Sequence, residues 1–491
     1  MPKWTDTALD LVPLIGDWST GPGPLYSRLA RAMQSAIEGG SLGAGTRLPP
    51  ERPLAEALGV SRTTVVLAYG RLRERGLLES RQGSGTWVPR RSGLERPALR
   101  EERSRSFLVD SLARAASDAP ADTIAFMGAC LPGSGLALDE EWRSAQVELA
   151  ELACGTGYSP QGWLPLRRAI AAQFETRGVP TTPDEILVTN GAQQAIDLLG
   201  RLLVGRGEAV VLEDPTYLGA IDALTLAGAR LLPVPVGPAG VEIPALRRAV
   251  QAATPALVYL VPSFHNPTGV LMPEVARREV AALAETTGVA VVEDESLGEL
   301  TFGAEPPAPI AAFAPRAAVF SVGSLSKLFW GGLRVGWLRG PRALVARLTR
   351  FKVAADLSGS LPCQLLATRL LARRDEVARM RRRESRRRYD RLAALLRESL
   401  PEWSFSEPAG GLTLWARLPT PSAEELARVA LRHGVSIVPG PVHSPSHGFA
   451  DRVRLPFVMD EAALGEGIAR LARAWRECRR PSDERRLDVI V

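Results

Sequence analysis

Five apolar runs rich in β-branched residues constrain this chain more than any other feature: "EILVTN" (185–190), "EAVVLED" (208–214), "ALVYLVPS" (256–263), "VAVVEDE" (289–295) and "AAVFSVGS" (317–324). Stretches of helical periodicity separate them. A strand that is apolar on both faces must be covered on both sides, so the pattern predicts parallel strands with crossover helices. An α/β sheet is therefore expected from about residue 123. After about residue 345 a long Arg-rich helical stretch leads to "LTLWARL", "SIVPG" and "DRVRLPFV", which predict a smaller α+β lobe. At 491 residues the chain is too long for one ordinary core.

The region before residue 90 reads differently. "PLYSRLARAMQSAIEGGSL" spaces Leu25, Leu29, Met33 and Ile37 four apart, one stripe of an amphipathic helix, and Gly39 and Gly40 stop it. In "RLPPERPLAEALGVSRTTVVLAYGRLRERGLL", Leu54, Ala57 and Leu58 mark one short helical face. Val65, Ala68, Tyr69 and Leu72 mark the next, with Ser61 as N-cap between them. "LLESRQGSGTWV" predicts two short strands around a Gly-rich turn. Residues 90–122, with "RRSGLERPALREERSRS", read as a polar linker.

Hydrophobic residues at 45% and charged residues at 23% describe a folded globular chain, not a disordered one. The net charge of +6 permits a polyanionic partner. Cys130, Cys154, Cys363 and Cys478 form no CxxC pair and have almost no histidine nearby, so neither a metal site nor a disulfide framework is expected. The first residues lack a signal-peptide core and no run is long enough to span a bilayer, which predicts a soluble, cytoplasmic protein without membrane contact.

Helix, helix–turn–helix and Gly-tipped hairpin is the order of a winged helix–turn–helix. Its second helix, about Arg62 to Arg75, would enter a major groove with Arg62, Thr63 and Thr64 near base edges. Arg52 would face phosphate, and Gly83, Ser84 and Gly85 of the wing would let backbone amides approach the duplex. The stretch "LPPERPLAEALGVSRTTVVLAYGRLRERGLLESRQGSGTWV" resembles the GntR-type winged helix across nearly the whole module, which implies double-stranded DNA as a partner. Pro50 stands where that family usually has Ser or Ala, and Val66 where some members carry arginine.

Only three lysines occur, Lys3, Lys327 and Lys352, although Lys and Arg together number 60. A position that keeps lysine in such a chain needs a compact amine that can lose its proton. Lys327 lies in "SVGSLSKLFWGGLRVGW". A pyridoxal 5′-phosphate site needs that amine, a carboxylate for the ring nitrogen, a donor to the ring hydroxyl, a stacking ring and a phosphate cradle. "TNGAQQAIDLL" offers the amides of Ala192 and Gln193 at a helix start. "EDPTYLGA" offers Tyr217, "PSFHNPTG" Asn266 and "VVEDES" Asp294. Ser324, Lys327 and Arg334 share one segment. Each has an ordinary structural reading alone; the ordered set is what carries the assignment.

Residues from about 123 to 478 resemble a fold-type I aminotransferase, and the fusion resembles the MocR subgroup of GntR regulators. The family pattern S-x-S-K followed by G-x-R-x-G is matched from Ser324 to Gly336. The resemblance implies that Lys327 bonds the cofactor as a Schiff base and Asp294 pairs the pyridinium. It further implies Asn266 at the ring hydroxyl, Tyr217 stacked on the ring, and Ser324 and Arg334 on the phosphate. Tyr158, in "GYSPQGWLPLRRAIA", resembles the tyrosine that reaches the neighbouring subunit's phosphate, implying a domain-swapped homodimer. Arg454, in "RVRLPF", resembles the arginine that holds a substrate or effector carboxylate. Leu297 stands where the family commonly has a tyrosine that donates to the ring oxygen.

The expected organisation is a lead-in (1–20), a winged helix–turn–helix (21–89), a linker (90–122), a large cofactor-binding domain (123–345), a small C-terminal lobe (346–478) and a tail (479–491). The expected function is a transcription regulator whose aminotransferase-like domain binds the cofactor and senses it or an amino-acid or amine effector. The alternatives are a working aminotransferase with an accessory DNA-binding module and a cofactor scaffold without a DNA role. The basic helix "ARRDEVARMRRRESRRRYDRLAALL" reads as a solvated helix with Glu–Arg pairs rather than a nucleic-acid stripe.

Overall fold

The computed structural model describes residues 11–15, 18–19, 24–38, 41–42, 45–74, 77–81, 85–89, 122–133, 138–420 and 422–479. Gly39, Gly40, Arg75, Gly83, Ser84, most of the expected linker, much of the lead-in and all but the first residue of the tail lie outside the described residues. The chain divides into two compact units, residues 1–104 and 105–491.

The first unit holds α1 (Leu25–Glu38), β1 (Arg47–Leu48), α2 (Glu51–Leu58), α3 (Arg62–Glu74), β2 (Glu79–Arg81) and β3 (Gly85–Trp87). The strands form an antiparallel sheet in the order β1-β3-β2. On α3, Val65, Ala68, Tyr69 and Leu72 are fully buried, the face expected from their spacing. On α1 the buried residues are Leu29, Ala30, Met33 and Ala36, while Leu25 is exposed and Ile37 half-buried. A strict spacing of four drifts by about 40° per step on a helix of 3.6 residues per turn, so the stripe leaves the core at its ends. Between α2 and α3, Gly59 takes φ 66°, a left-handed turn that its missing Cβ allows. Ser61 Oγ then accepts from the Thr64 amide at 3.2 Å, capping α3. Tyr69 Oη donates to the Pro49 carbonyl at 2.9 Å, fixing α3 against the entry to α2.

The second unit begins with β4 (Ile124–Phe126), α4 (Leu138–Ser144), α5 (Gln146–Leu152) and α6 (Leu164–Thr176). The large sheet follows: β5 (Ile186–Thr189), α7 (Ala192–Leu203), β6 (Ala209–Asp214), α8 (Leu218–Leu226), β7 (Arg230–Gly237), β8 (Gly240–Val241), α9 (Ile243–Ala253), β9 (Leu257–Leu260), α10 (Glu274–Thr287), β10 (Ala290–Asp294), β11 (Val319–Ser324) and β12 (Gly336–Arg339). The spatial order is β5-β12-β11-β10-β9-β6-β7-β8. Strands β7, β6, β9, β10 and β11 run parallel, and β12 runs antiparallel between β11 and β5. The five quoted runs are β5, β6, β9, β10 and β11. β12 is not an apolar run, since it opens on Gly336, ends on Arg339 and alternates buried with half-buried residues, and Pro233 and Pro235 mask β7, which lies near the sheet edge.

Next come α11 (Arg342–Asp356), α12 (Leu361–Ala372), α13 (Arg374–Ser399), β13 (Ser404–Phe405), β14 (Thr413–Arg417), α14 (Ala423–Arg432), β15 (Val435–Pro439), β16 (Arg452–Pro456) and α15 (Glu461–Cys478). The smaller sheet has the order β13-β14-β16-β15-β4, so Ile124–Phe126 pairs in parallel with Val435–Ile437 far along the chain. Its apolar face packs on α13, α14 and α15 through Leu392, Leu396, Leu426, Leu464 and Trp475. Among the described residues no helix is long and apolar enough to cross a membrane.

Candidate functional site

The C-terminal ends of parallel strands and the loops that follow them surround a cavity of about 140 Å³. Its lining includes Ala192, Gln193, Tyr217, Asn266, Asp294, Ser324, Lys327 and Arg334, eight of the residues selected from sequence, together with Cys130 and Leu297.

One part of the lining is arranged for an anion. Helix α7 starts after Gly191, which has φ 85° and no side-chain cap, so the first amides of the helix, at the cavity-lining Ala192 and Gln193, are open to a ligand. A Cβ on Gly191 would sit 2.8 Å from the Arg334 guanidinium, which lies across it and donates to the Asn190 carbonyl. Ser324 Oγ accepts from the Ser326 amide at 3.1 Å and donates to Ser326 Oγ at 3.0 Å.

Asp294, also in the lining, closes β10 and is almost wholly buried. Its Oδ2 accepts from Tyr259 Oη at 2.9 Å and its Oδ1 from the Ser296 amide at 2.9 Å. Burial pushes its carboxyl above the ordinary range, against the pull of these donors and of Lys327. A buried carboxylate destabilised in this way gains most from a nearby cation.

Tyr217 caps the start of α8, and its Oη donates to Gln193 Oε1 at 3.0 Å. Gln193 in turn donates to the Gly219 carbonyl at 2.7 Å. A Cβ on Gly219 would strike the Tyr217 ring, so that glycine makes room for the aromatic side chain. Burial, then Asp294, raises the phenol well above its normal value, keeping it neutral. Lys327 lines the same cavity, and its Nζ donates to Cys130 Sγ at 3.3 Å.

Arg454, on β16, is 4% exposed. It donates to the Met127 carbonyl and, at 3.4 Å, to Asn266 Oδ1, while its Nε is buried without a partner. No ion pair of Arg454 occurs among the described residues, and burial pulls its pKa down to about 10. Burying a guanidinium without a counter-charge is costly. Tyr158 stands apart: 66% exposed, beside a separate cleft formed with Gly157, Ser358 and Ser360. Leu297 packs with Ala129, Leu131, Phe264 and Leu300 and supplies no donor.

Sequence reasoning missed Tyr259 and Arg381. The Arg381 guanidinium is fully buried and donates to the carbonyls of Leu328, Phe329 and Pro132, tying the segments after Lys327 and after Cys130 to α13. Much of α13 matches the solvated reading, with exposed pairs such as Arg386–Asp390 and Arg387–Glu461. Arg381 and Arg388 instead point inward.

In the first unit Arg62 and Thr63 are exposed on the opening turn of α3, and Thr64 is half-buried beside Ser61. Arg62 is 3.9 Å from Glu51, and Arg52 is exposed and 3.5 Å from Glu56. A Cβ on Gly85, at φ 95°, would meet Arg47 Nε at 3.1 Å.

This combination defines an aminotransferase-type cofactor fold joined to a winged helix–turn–helix. The chain belongs to the aminotransferase class I and II family, matched over residues 127–471, and also matches the bacterial regulatory proteins of the gntR family over residues 25–88. It is 31% identical over 441 residues to the probable rhizopine catabolism regulatory protein MocR of Rhizobium meliloti, covering 85% of this chain and 86% of that protein. It is 37% identical over 327 residues to a 2-aminoadipate transaminase of Thermus thermophilus, covering 65% of this chain and 81% of the relative. Among solved structures, the α-aminoadipate aminotransferase LysN of Thermus thermophilus aligns with TM-score 0.68 at 34% identity, covering 73% of this chain and 93% of that one.

The family and fold imply pyridoxal 5′-phosphate. The residues present fit it: an uncapped helix start with Arg334, a buried carboxylate and an amine line one cavity.

Proposed function

We propose that this chain is a DNA-binding transcription regulator whose second unit holds pyridoxal 5′-phosphate on Lys327 and responds to an amino-acid or amine effector. When bound, the cofactor supplies an aldehyde that bonds amines and a ring that withdraws electrons. Asp294 would hold the ring nitrogen's proton, Tyr217 would cover one face, and Asn266 would meet the ring hydroxyl. The α7 amides, Ser324 and Arg334 would take the phosphate. Lys327 Nζ would provide the amine that bonds the aldehyde.

The observation that carries the reading is Arg454. A buried guanidinium with no carboxylate of its own, bonded to Asn266 beside the cofactor cavity, is best explained by a ligand carboxylate. Effector binding at Arg454 would favour one arrangement of the second unit, and coupling to DNA follows if the two arrangements differ in effector affinity. The exposed Tyr158 supports a homodimer in which it reaches the partner's phosphate end. A regulator of this kind works in the cytoplasm.

A second reading, an active aminotransferase, is favoured by the 37% identity to the transaminase relative. Leu297 argues against it: one donor to the ring oxygen is missing, a loss of ~1 kcal/mol. Footprinting on the intergenic region next to the gene, with and without cofactor and candidate amines, tests the regulator. A protected site whose affinity changes with an amine supports it. Absence of any protected site, with rapid turnover of amino acids and 2-oxoglutarate, would replace it with the enzyme.

A further inference from the structure

Of the four cysteines, Cys130 lines the cofactor cavity, whereas Cys154 follows α5 on the surface, Cys363 lies on α12 and Cys478 ends α15. Its thiol is half-buried in a cavity open to solvent. Lys327 Nζ touches it at 3.3 Å. A Cβ on Gly331 would lie 3.5 Å from the sulfur, so the glycine leaves this side of the thiol uncrowded. A nucleophilic sulfur and the amine assigned to the cofactor therefore share a contact, 197 residues apart in sequence.

We propose that Cys130 and Lys327 form a reversible redox lock: a hydroperoxide oxidises the thiol, and the oxidised sulfur closes on the amine. In the first step Sγ attacks the peroxide, forming an S–O bond as the O–O bond breaks. The thiol proton leaves with the alkoxide as an alcohol, and sulfur loses two electrons to the peroxide. In the second step the unprotonated Lys327 amine attacks Sγ. An N–S bond forms, the S–O bond breaks, and hydroxide departs as water with a proton from nitrogen. A small thiol reverses the lock by attacking sulfur, and a second thiol completes the reduction and leaves as the external disulfide. While the lock is closed, Lys327 is unavailable to the cofactor. This consequence rests on the cofactor assignment; the bond itself does not.

The test uses cofactor-free full-length protein treated with tert-butyl hydroperoxide. Intact mass should fall by two hydrogens, and non-reducing peptide mapping should join the Cys130 and Lys327 peptides, both reversed by dithiothreitol. Subsequent cofactor loading, read by absorbance, should drop by roughly an order of magnitude until the thiol is added. Cys130→Ala should load equally with and without peroxide. Protein loaded with cofactor beforehand should give no joined peptide. Sulfenic or sulfonic acid at Cys130 with Lys327 unmodified would overturn the proposal, as would a cross-link elsewhere. If untreated protein takes up no cofactor, the assignment of the cavity fails, and peptide mapping still decides the bond alone.

Discussion

Tyr259, on β9, donates its hydroxyl to Asp294 Oδ2 at 2.9 Å across the neighbouring strand β10. Both side chains are buried, and the phenol is pushed far above its usual pKa by burial and then by Asp294 itself. The tyrosine thus stays a donor and lowers the cost of keeping a charged carboxylate under the cavity. Tyr259→Phe should raise the Asp294 pKa further and weaken its hold on a protonated ring nitrogen. A hydrogen bond to a charged group is worth about 1.5–3 kcal/mol. Cofactor affinity, measured by absorbance titration, should fall roughly tenfold to a hundredfold. Unchanged affinity would remove Tyr259 from the site.

Arg381 makes the second prediction. Arg381→Met leaves the Leu328, Phe329 and Pro132 carbonyls without their shared donor and Glu384 without its 2.7 Å partner. The loss should be about 3–5 kcal/mol in stability, as for a broken buried pair. Cofactor retention should fall as well, because the segment after Lys327 loses its anchor. Exposed Arg383→Met should change stability by under about 0.5 kcal/mol. Thermal melts of both variants separate the inward from the solvated arginines of α13.

The two cases mark where the sequence was legible. Runs that are apolar on both faces marked β6, β9, β10 and β11, and through them Asp294 and Ser324 at strand ends and Asn266 in the loop after β9. Period and spacing also gave the buried face of α3. Tyr259 was hidden because its partner depends on which strand lies beside β9, and strand order follows from packing rather than from local pattern. Arg381 was hidden because an Arg-rich helix hydrates by default, and only the carbonyls of distant loops turn one arginine inward. Strand β4 was hidden for the same reason, since Ile124–Phe126 finds its neighbour in Val435–Ile437.

Glu293 sets a pH dependence. Its buried carboxyl accepts from Ser321 Oγ at 2.6 Å and from the Ile310 amide at 2.6 Å. Burial, then the charge of Glu295, raises its pKa from 4.5 to about 7. An acid with a higher pKa folded than unfolded supports the fold fully below the unfolded value and loses that support as pH rises through the folded one. The second unit should therefore lose stability from this group as the pH rises from about 4.5 through about 7. For Glu295, burial is opposed and outweighed by Arg177 and Arg277, so its contribution fades only at the acid end. Melts at a series of pH values should show the decline in wild type and a flatter curve in Glu293→Gln.

On the first unit, Arg62 and Arg52 should fail in different ways. Arg62→Ala, on the exposed opening turn of α3, should cost about 1–3 kcal/mol on the preferred duplex and relax discrimination among sequences. Arg52→Ala should weaken all duplexes alike and reduce the salt slope of binding by about one. Anisotropy titrations at several salt concentrations distinguish the two. Identical behaviour of both variants would contradict the groove assignment.

The most direct measurement concerns Lys327. Protein incubated with pyridoxal 5′-phosphate, reduced with borohydride and digested should carry a phosphopyridoxyl group on the peptide containing Lys327, and Lys327→Ala should carry none. Label spread over Lys3 and Lys352, or label undiminished in Lys327→Ala, would contradict the account at its centre.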